Sequence, residues 1–151
     1  MPFSDWDYYY TKGMPARWTP NPGQPFKAVT VPAGFVTDLT SIPQGAWSLG
    51  LRPEGRYAYA AIVHDYLYWI QDPSWTRETA DKIFLFAMED SKVPTVERDA
   101  FYGVLRAVGG HAWDTNATLK RDGERRFLKK YPPTFTTTWK DWKATPGVFE
   151  D

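Results

Sequence analysis

Two amphipathic stretches, Arg56–Gln71 and Arg77–Asp90, lie so close in sequence that their short connection favours antiparallel packing as helices. In the first, Tyr57, Ala60, Ala61, His64, Leu67 and Tyr68 recur at the spacing of one helical face. Asp72-Pro73 ends it, because a residue before proline is pushed out of helical geometry. Thr76 is placed to cap the second helix, Glu78 sits in its first turn, and Ala80, Ile83, Phe84, Ala87 and Met88 form its apolar stripe. Antiparallel packing of such a pair can bring His64, near the middle of the first helix, to Asp81, in the first turn of the second.

The rest of the chain is arranged around this pair. Residues 1–24 are rich in proline, glycine and aromatic side chains without a period, and read as an extended arm with one short strand near Trp6–Tyr10. Phe26–Thr37 alternates loosely around Pro32-Ala33-Gly34, which predicts a hairpin or two short edge strands with a turn there. Asp38–Gly55, punctuated by Pro43, Gly45, Gly50 and Pro53, reads as a loop, and a loop of that length is often functional. A third helix is expected from Thr95 to Val108, stopped by Gly109-Gly110, and a fourth over roughly Ala117–Lys130. Beyond Pro132-Pro133 the tail has no helical pattern.

The expected fold class is therefore α+β in a single domain. A short N-terminal β element precedes a three- to four-helix core, with aromatic-rich extended arms at both ends. Its parts are an arm (1–24), a core (25–110), a basic helical segment (111–133) and a C-terminal tail (134–151). Aromatic residues such as Trp6, Tyr8, Tyr9, Trp18, Phe135, Trp139, Trp142 and Phe149 crowd the two arms. They can pack over the core or against a partner.

Charge and cysteine usage exclude several classes. Eighteen Lys and Arg balance eighteen Asp and Glu, which argues against general nucleic-acid binding. The basic run Lys120, Arg121, Arg125, Arg126, Lys129 and Lys130 is interrupted by Asp122 and Glu124 and reads as a solvated helical face. Without cysteine there is no disulfide framework, thiolate metal site or cysteine nucleophile. No apolar run approaches a membrane span and no signal-peptide pattern opens the chain, so a soluble protein made inside a cell is expected.

The chemistry-bearing residues converge on the helix pair. A buried Asp81 can accept the proton of one imidazole nitrogen of His64, leaving the other to deprotonate a water, and Tyr68, one turn on, can hold the same carboxylate. Asp65 points about 100° around the helix, toward the loop. There it can bind a hard cation such as calcium together with Asp38 and backbone carbonyls near Gly45. Asp38 is equally explained by the turn-forming bonds of an Asp-x-x-Ser segment with Ser41. His111, after the glycine pair, reads as a surface or capping residue, and Asn116-Ala117-Thr118 is a glycosylation match without a secretion signal.

His64-Asp65-Tyr66-Leu67-Tyr68 with Ala80-Asp81-Lys82-Ile83-Phe84 resembles the phospholipase A2 active site. That resemblance implies a His-Asp-x-x-Tyr helix, an aspartate that orients the histidine, and calcium held by the aspartate next to it and by loop carbonyls. Secreted members are disulfide-rich, and this chain has no cysteine.

A longer series runs from Val31-Pro32-Ala33-Gly34-Phe35-Val36-Thr37-Asp38-Leu39-Thr40-Ser41-Ile42-Pro43 through Gly55-Arg56-Tyr57, His64-Asp65-Tyr66-Leu67-Tyr68, Arg77, Ala80-Asp81 and Phe84 to Met88. It resembles the phage and prophage family known as domain of unknown function 1353, over roughly residues 25–110. The resemblance implies a phage or prophage origin and supplies no activity.

Two functions from different classes fit. One is a metal-assisted, phospholipase A2-like hydrolase acting on lipid or other envelope esters or amides. The other is a virion, tail or accessory protein whose arms dock on neighbours while the His64 cluster is structural. The partners implied are phage structural proteins, a host envelope component or a second copy of the chain. The expected location is the bacterial host cytoplasm or the virion.

Overall fold

The helix pair forms with almost the predicted boundaries: α1 spans Ala58–Ile70 and α2 spans Arg77–Asp90 in a computed structural model that describes residues 1–39 and 57–151. Thr76 caps α2 by accepting from the Thr79 amide at 3.2 Å. The end of α1 is secured by long side chains. Gln71 adopts a left-handed conformation (φ 50°), and its side chain donates to the carbonyls of Tyr68 and Trp113 at 2.9 and 2.7 Å. Lys120 reaches the last carbonyls, Trp69 at 3.2 Å and Ile70 at 2.7 Å, where a cation also complements the helix dipole.

The third helix differs from expectation. α3 runs unbroken over Thr95–Arg121, through the glycine pair that was expected to stop it. Gly109 is buried there, facing Tyr68 and Arg77, and close approach rather than termination accounts for a glycine at this position. The helix carries His111, Asn116 and Lys120 and ends at Arg121. Gly123 turns with φ +96°, its amide bonds the Lys120 carbonyl at 3.2 Å, and the Glu124 amide bonds the Leu119 carbonyl at 3.0 Å. The predicted helix over Ala117–Lys130, and with it the basic helical segment over 111–133, is therefore corrected: helix extends only to Arg121. Phe127 and Leu128 instead make bridges to Phe35 and Phe149.

Among the described residues, four short strands form two pairs packed on the α1 side. β1 (Tyr9–Tyr10) pairs antiparallel with β4 (Val36–Thr37), and β2 (Ala16–Trp18) pairs antiparallel with β3 (Val29–Val31). Of the two predicted arrangements, the short edge strands are the ones that form. β3 and β4 flank the Pro32–Gly34 turn without pairing with each other. Gly34, at φ +87°, forces this divergence: its amide bonds the Thr11 carbonyl at 2.8 Å and its carbonyl accepts from the Leu128 amide at 2.9 Å. A side chain at 34 would meet the Leu128 carbonyl oxygen at 2.3 Å.

Two apolar clusters result. The larger joins α1, α2 and α3 to β2 and β3 around Trp18, Phe35, Leu67, Phe84, Phe101 and Leu105. The smaller is made by the chain ends: Phe3, Tyr10, Val36, Leu128, Trp139 and Val148. The two arms thus pack on each other. The tail includes a one-turn helix, α4 (Trp139–Lys143), capped by Thr138, and the Ser4 amide bonds the Thr137 carbonyl at 3.0 Å. Arg126, expected on a solvated face, is 2% exposed. Its guanidinium lies 4.5 Å from the centre of the Trp69 ring and pairs with Glu124 at 3.0 Å.

Candidate functional site

Asp81 is the hub of the polar groups inside the larger cluster. Its side chain is fully buried, so an ionised carboxylate there has to be paid for by donors on all sides. It has them. Oδ1 accepts from His64 Nε2 at 2.9 Å and from the Tyr68 hydroxyl at 2.6 Å. Oδ2 accepts from Arg106 Nη1 at 2.8 Å and lies 3.5 Å from Arg77 Nη1. Each helix contributes: α1 brings His64 and Tyr68 one turn apart, α2 brings Asp81 and Arg77 four residues apart, and α3 brings Arg106.

Asp65, beside His64, faces the other way. Its Oδ2 accepts from the Thr37 hydroxyl and from the Leu39 amide, the latter at 3.0 Å. Its Oδ1 lies 3.9 Å from His64 Nδ1, an ion-pair separation longer than a hydrogen bond. The imidazole, 1% exposed, therefore sits between two carboxylates, with the Tyr68 ring centre 4.1 Å away and that of Phe84 at 5.0 Å.

These surroundings set the protonation states. Burial works to lower the pKa of His64, but Asp65 and Asp81 together outweigh it and raise the pKa above 6.5. Burial works to raise the pKa of Asp81, yet His64, Tyr68 and Arg106 hold it below 3.8. Burial and the Asp81 carboxylate push the Tyr68 hydroxyl well above its ordinary value, so it stays a donor. Since Asp81 accepts only, Nε2 of His64 carries a proton.

The structure thus brings together His64, Asp81 and Tyr68, the three residues read as catalytic. Of the three read as metal ligands, Asp65 is adjacent but committed through Oδ2 to Thr37 and Leu39. Asp38 points toward Arg126, at 4.0 Å. Gly45, and Ser41 with it, lies outside the described residues. Among the described residues no group of three or more His, Asp or Glu side chains is suited to a metal ion. The donor set calcium prefers is therefore not assembled by these residues alone. His111 is exposed on α3.

Sequence reasoning missed Arg77, Arg106, Thr37 and Gly109. Arg77 was within reach, since an arginine four residues before an aspartate on a helix faces it. Arg106 carries no local signal, because it meets Asp81 only through the packing of α3.

Comparison with known proteins fits this picture without adding an activity. A family model described as "Protein of unknown function (DUF1353)" matches residues 20–105, and the chain belongs to that family. The match holds His64, Asp65, Tyr68, Arg77 and Asp81, and stops before Arg106 and Gly109. The uncharacterized protein y4jT of Sinorhizobium fredii (strain NBRC 101917 / NGR234) is 34% identical over 80 residues, which is 52% of this chain and 23% of that protein. The chain thus spans less than a quarter of the length of that relative. No solved structure matches. No helix among the described residues is long and apolar enough to cross a membrane.

Proposed function

We propose that in this member of the family His64 is the general base of a hydrolytic site, with Asp81 fixing its tautomer and Tyr68 holding Asp81. One observation carries the reading: a single carboxylate oxygen, Oδ1 of Asp81, accepts from both His64 Nε2 and the Tyr68 hydroxyl. The proton on Nε2 is thereby assigned, and Nδ1, on the Asp65 side, becomes the basic atom. In the step proposed, Nδ1 takes a proton from a water whose oxygen attacks an ester or amide carbonyl. The imidazolium then returns that proton to the leaving group. The substrate class is lipid or another ester or amide of the bacterial envelope, as in a phospholipase A2-like enzyme. The setting is a phage- or prophage-encoded protein acting in the host cytoplasm or from the virion, a proposal supported by the family resemblance.

Because the two carboxylates raise the pKa of His64, its neutral form accumulates only as pH rises through a value above 6.5. Hydrolysis of phospholipid vesicles or activated esters should therefore climb with pH and vanish in His64→Gln. A folded wild type that hydrolyses none of these between about pH 6 and 9 removes the reading.

Calcium is a separate proposal, and no step above passes through it. Asp65 is the residue that would take part, with donors beyond the described residues. A calcium-dependent rise in melting temperature that disappears in Asp65→Asn supports it; no rise in wild type removes it.

A second reading is favoured by one observation. His64 and Asp81 are closed off from solvent, while Trp6 and Phe135, on the chain ends, are 67% and 80% exposed. This is the pattern of a structural polar lock in a protein that works through contacts, with phage structural proteins, an envelope component or a second copy as partner. Trp6→Ala with Phe135→Ala would then abolish association, and His64→Gln would act only through stability. Deleting either arm is a poor test, since both arms build the smaller cluster.

A further inference from the structure

Two adjacent glycines lie inside α3, and they differ in what surrounds them. A Cβ on Gly110 would have its nearest neighbour, Arg77 Cζ, at 4.0 Å. A Cβ on Gly109 would stand 2.7 Å from the Tyr68 hydroxyl oxygen and 3.2 Å from Arg77 Nη1. The first distance is too short for two unbonded heavy atoms, so one of them would have to move. Glycine in a helix interior is otherwise costly relative to alanine, which makes the open space at Gly109 an occupied space.

The occupant is poorly able to yield. Tyr68 is fully buried, its ring centre lies 4.1 Å from that of His64, and the Trp113 ring meets it edge-on at 5.1 Å. Its hydroxyl is fixed to Asp81 Oδ1 at 2.6 Å. Arg77 is held nearby by the Leu105 carbonyl at 3.1 Å, one turn before Gly109 on α3. Any shift that frees room for a methyl group turns the hydroxyl away from Asp81.

We propose that Gly109 is a positioning residue of the His64–Asp81 site. The side chain it lacks is the seat of the Tyr68 hydroxyl, so α3, which touches no reacting atom, sets the hydrogen bond that orients Asp81 and through it His64. The proposal rests on the reading of Tyr68 as the group that holds Asp81.

The test is a double-mutant cycle on the full chain. Gly110→Ala should raise the melting temperature by about 1–3 °C. Gly109→Ala should lower it by roughly 3–8 °C, the effect of displacing one buried hydrogen bond. In a Tyr68→Phe background, where Cζ would be an ordinary 3.7 Å from the new methyl carbon and only Arg77 Nη1 at 3.2 Å stays close, the Gly109→Ala penalty should fall to less than half. The imidazole Nε2–H resonance of His64 should move in Gly109→Ala and stay in place in Gly110→Ala. If Gly109→Ala alone fails to fold, recovery in the Tyr68→Phe/Gly109→Ala double variant supports the proposal on its own. A Gly109→Ala protein as stable as Gly110→Ala, or a penalty that Tyr68→Phe does not halve, overturns it. Absence of hydrolysis would remove the base reading and leave the cycle standing; a flat cycle would do the reverse.

Discussion

The two clusters of this molecule handle buried polar atoms in opposite ways. In the larger one, Asp81 has three hydrogen-bond donors and the Arg77 guanidinium arranged around two oxygens, brought by three helices. In the smaller one, the Trp139 indole N–H is buried with no hydrogen-bond partner, a condition found at no other side chain among the described residues. There the ring is held by packing, between Phe3 at 5.4 Å, Tyr8 at 5.5 Å and Phe149 at 6.0 Å, with the Lys143 ammonium 5.8 Å from its centre. The difference teaches where orientation is needed. A satisfied network in a low-dielectric interior admits one geometry, whereas aromatic packing rewards any close fit.

The sharpest way to break the contrast is Asp81→Ala. It leaves His64, Tyr68 and Arg106 without their acceptor, and we expect a loss of about 3–5 kcal/mol in urea unfolding, as for a buried pair deprived of one partner. A loss under about 1 kcal/mol would mean the network has little to do with stability. Trp139→Ala should cost a similar amount, roughly 3–4 kcal/mol, through the cavity it leaves rather than through any lost bond.

The pH dependence separates the clusters next. His64 has a folded pKa above 6.5, so its contribution is whole below 6.5 and is lost as pH rises through the folded value. Asp81 has a folded pKa below 3.8, so its contribution is whole above 3.8 and is lost as pH falls through the folded value. Unfolding free energy should therefore be highest between these limits and fall on the alkaline side with a slope of at most about 1.4 kcal/mol per pH unit for the one proton. The alkaline fall should be absent in His64→Gln and retained in Trp139→Phe.

The smallest effect is the most diagnostic. Trp139→Phe removes an N–H that has no partner and should be neutral or stabilising. Trp18→Phe removes an N–H that donates to Asp90 at 3.0 Å and should cost about 1 kcal/mol. Equal losses at the two tryptophans, measured side by side in urea, would show that Trp139 is not orphaned.

What the sequence revealed follows the same divide. Local periodicity, a capping threonine and a proline break located α1 and α2 almost to the residue, and the spacing of His64, Tyr68 and Asp81 made their meeting possible if the pair packs antiparallel, without fixing the contact. Long-range packing was not legible. Gly109-Gly110 carries the local signature of a helix stop, and only the approach of Tyr68 and Arg77 from other helices shows why α3 passes through it. The strands are two or three residues long, too short for alternation to identify β2 or to tell that β3 and β4 pair with different neighbours. Arg126 had the look of a solvated charge because the Trp69 ring that covers it lies far away in sequence.

The contact between the chain ends also has a consequence in time. The Trp139 amide donates to Asp5, 134 residues earlier, at 3.2 Å. As the chain leaves the ribosome, every residue of α1, α2 and α3 emerges before Leu128, Trp139 and Val148 do. The opening segment, with Phe3 and Tyr10, can meet Val36 early but must wait for Leu128, Trp139 and Val148 before its cover is complete. Its aromatic rings are only partly covered for that interval, and long-range closure of this kind is slow. Nascent chains stalled before residue 127 should therefore be the form most readily captured by chaperones.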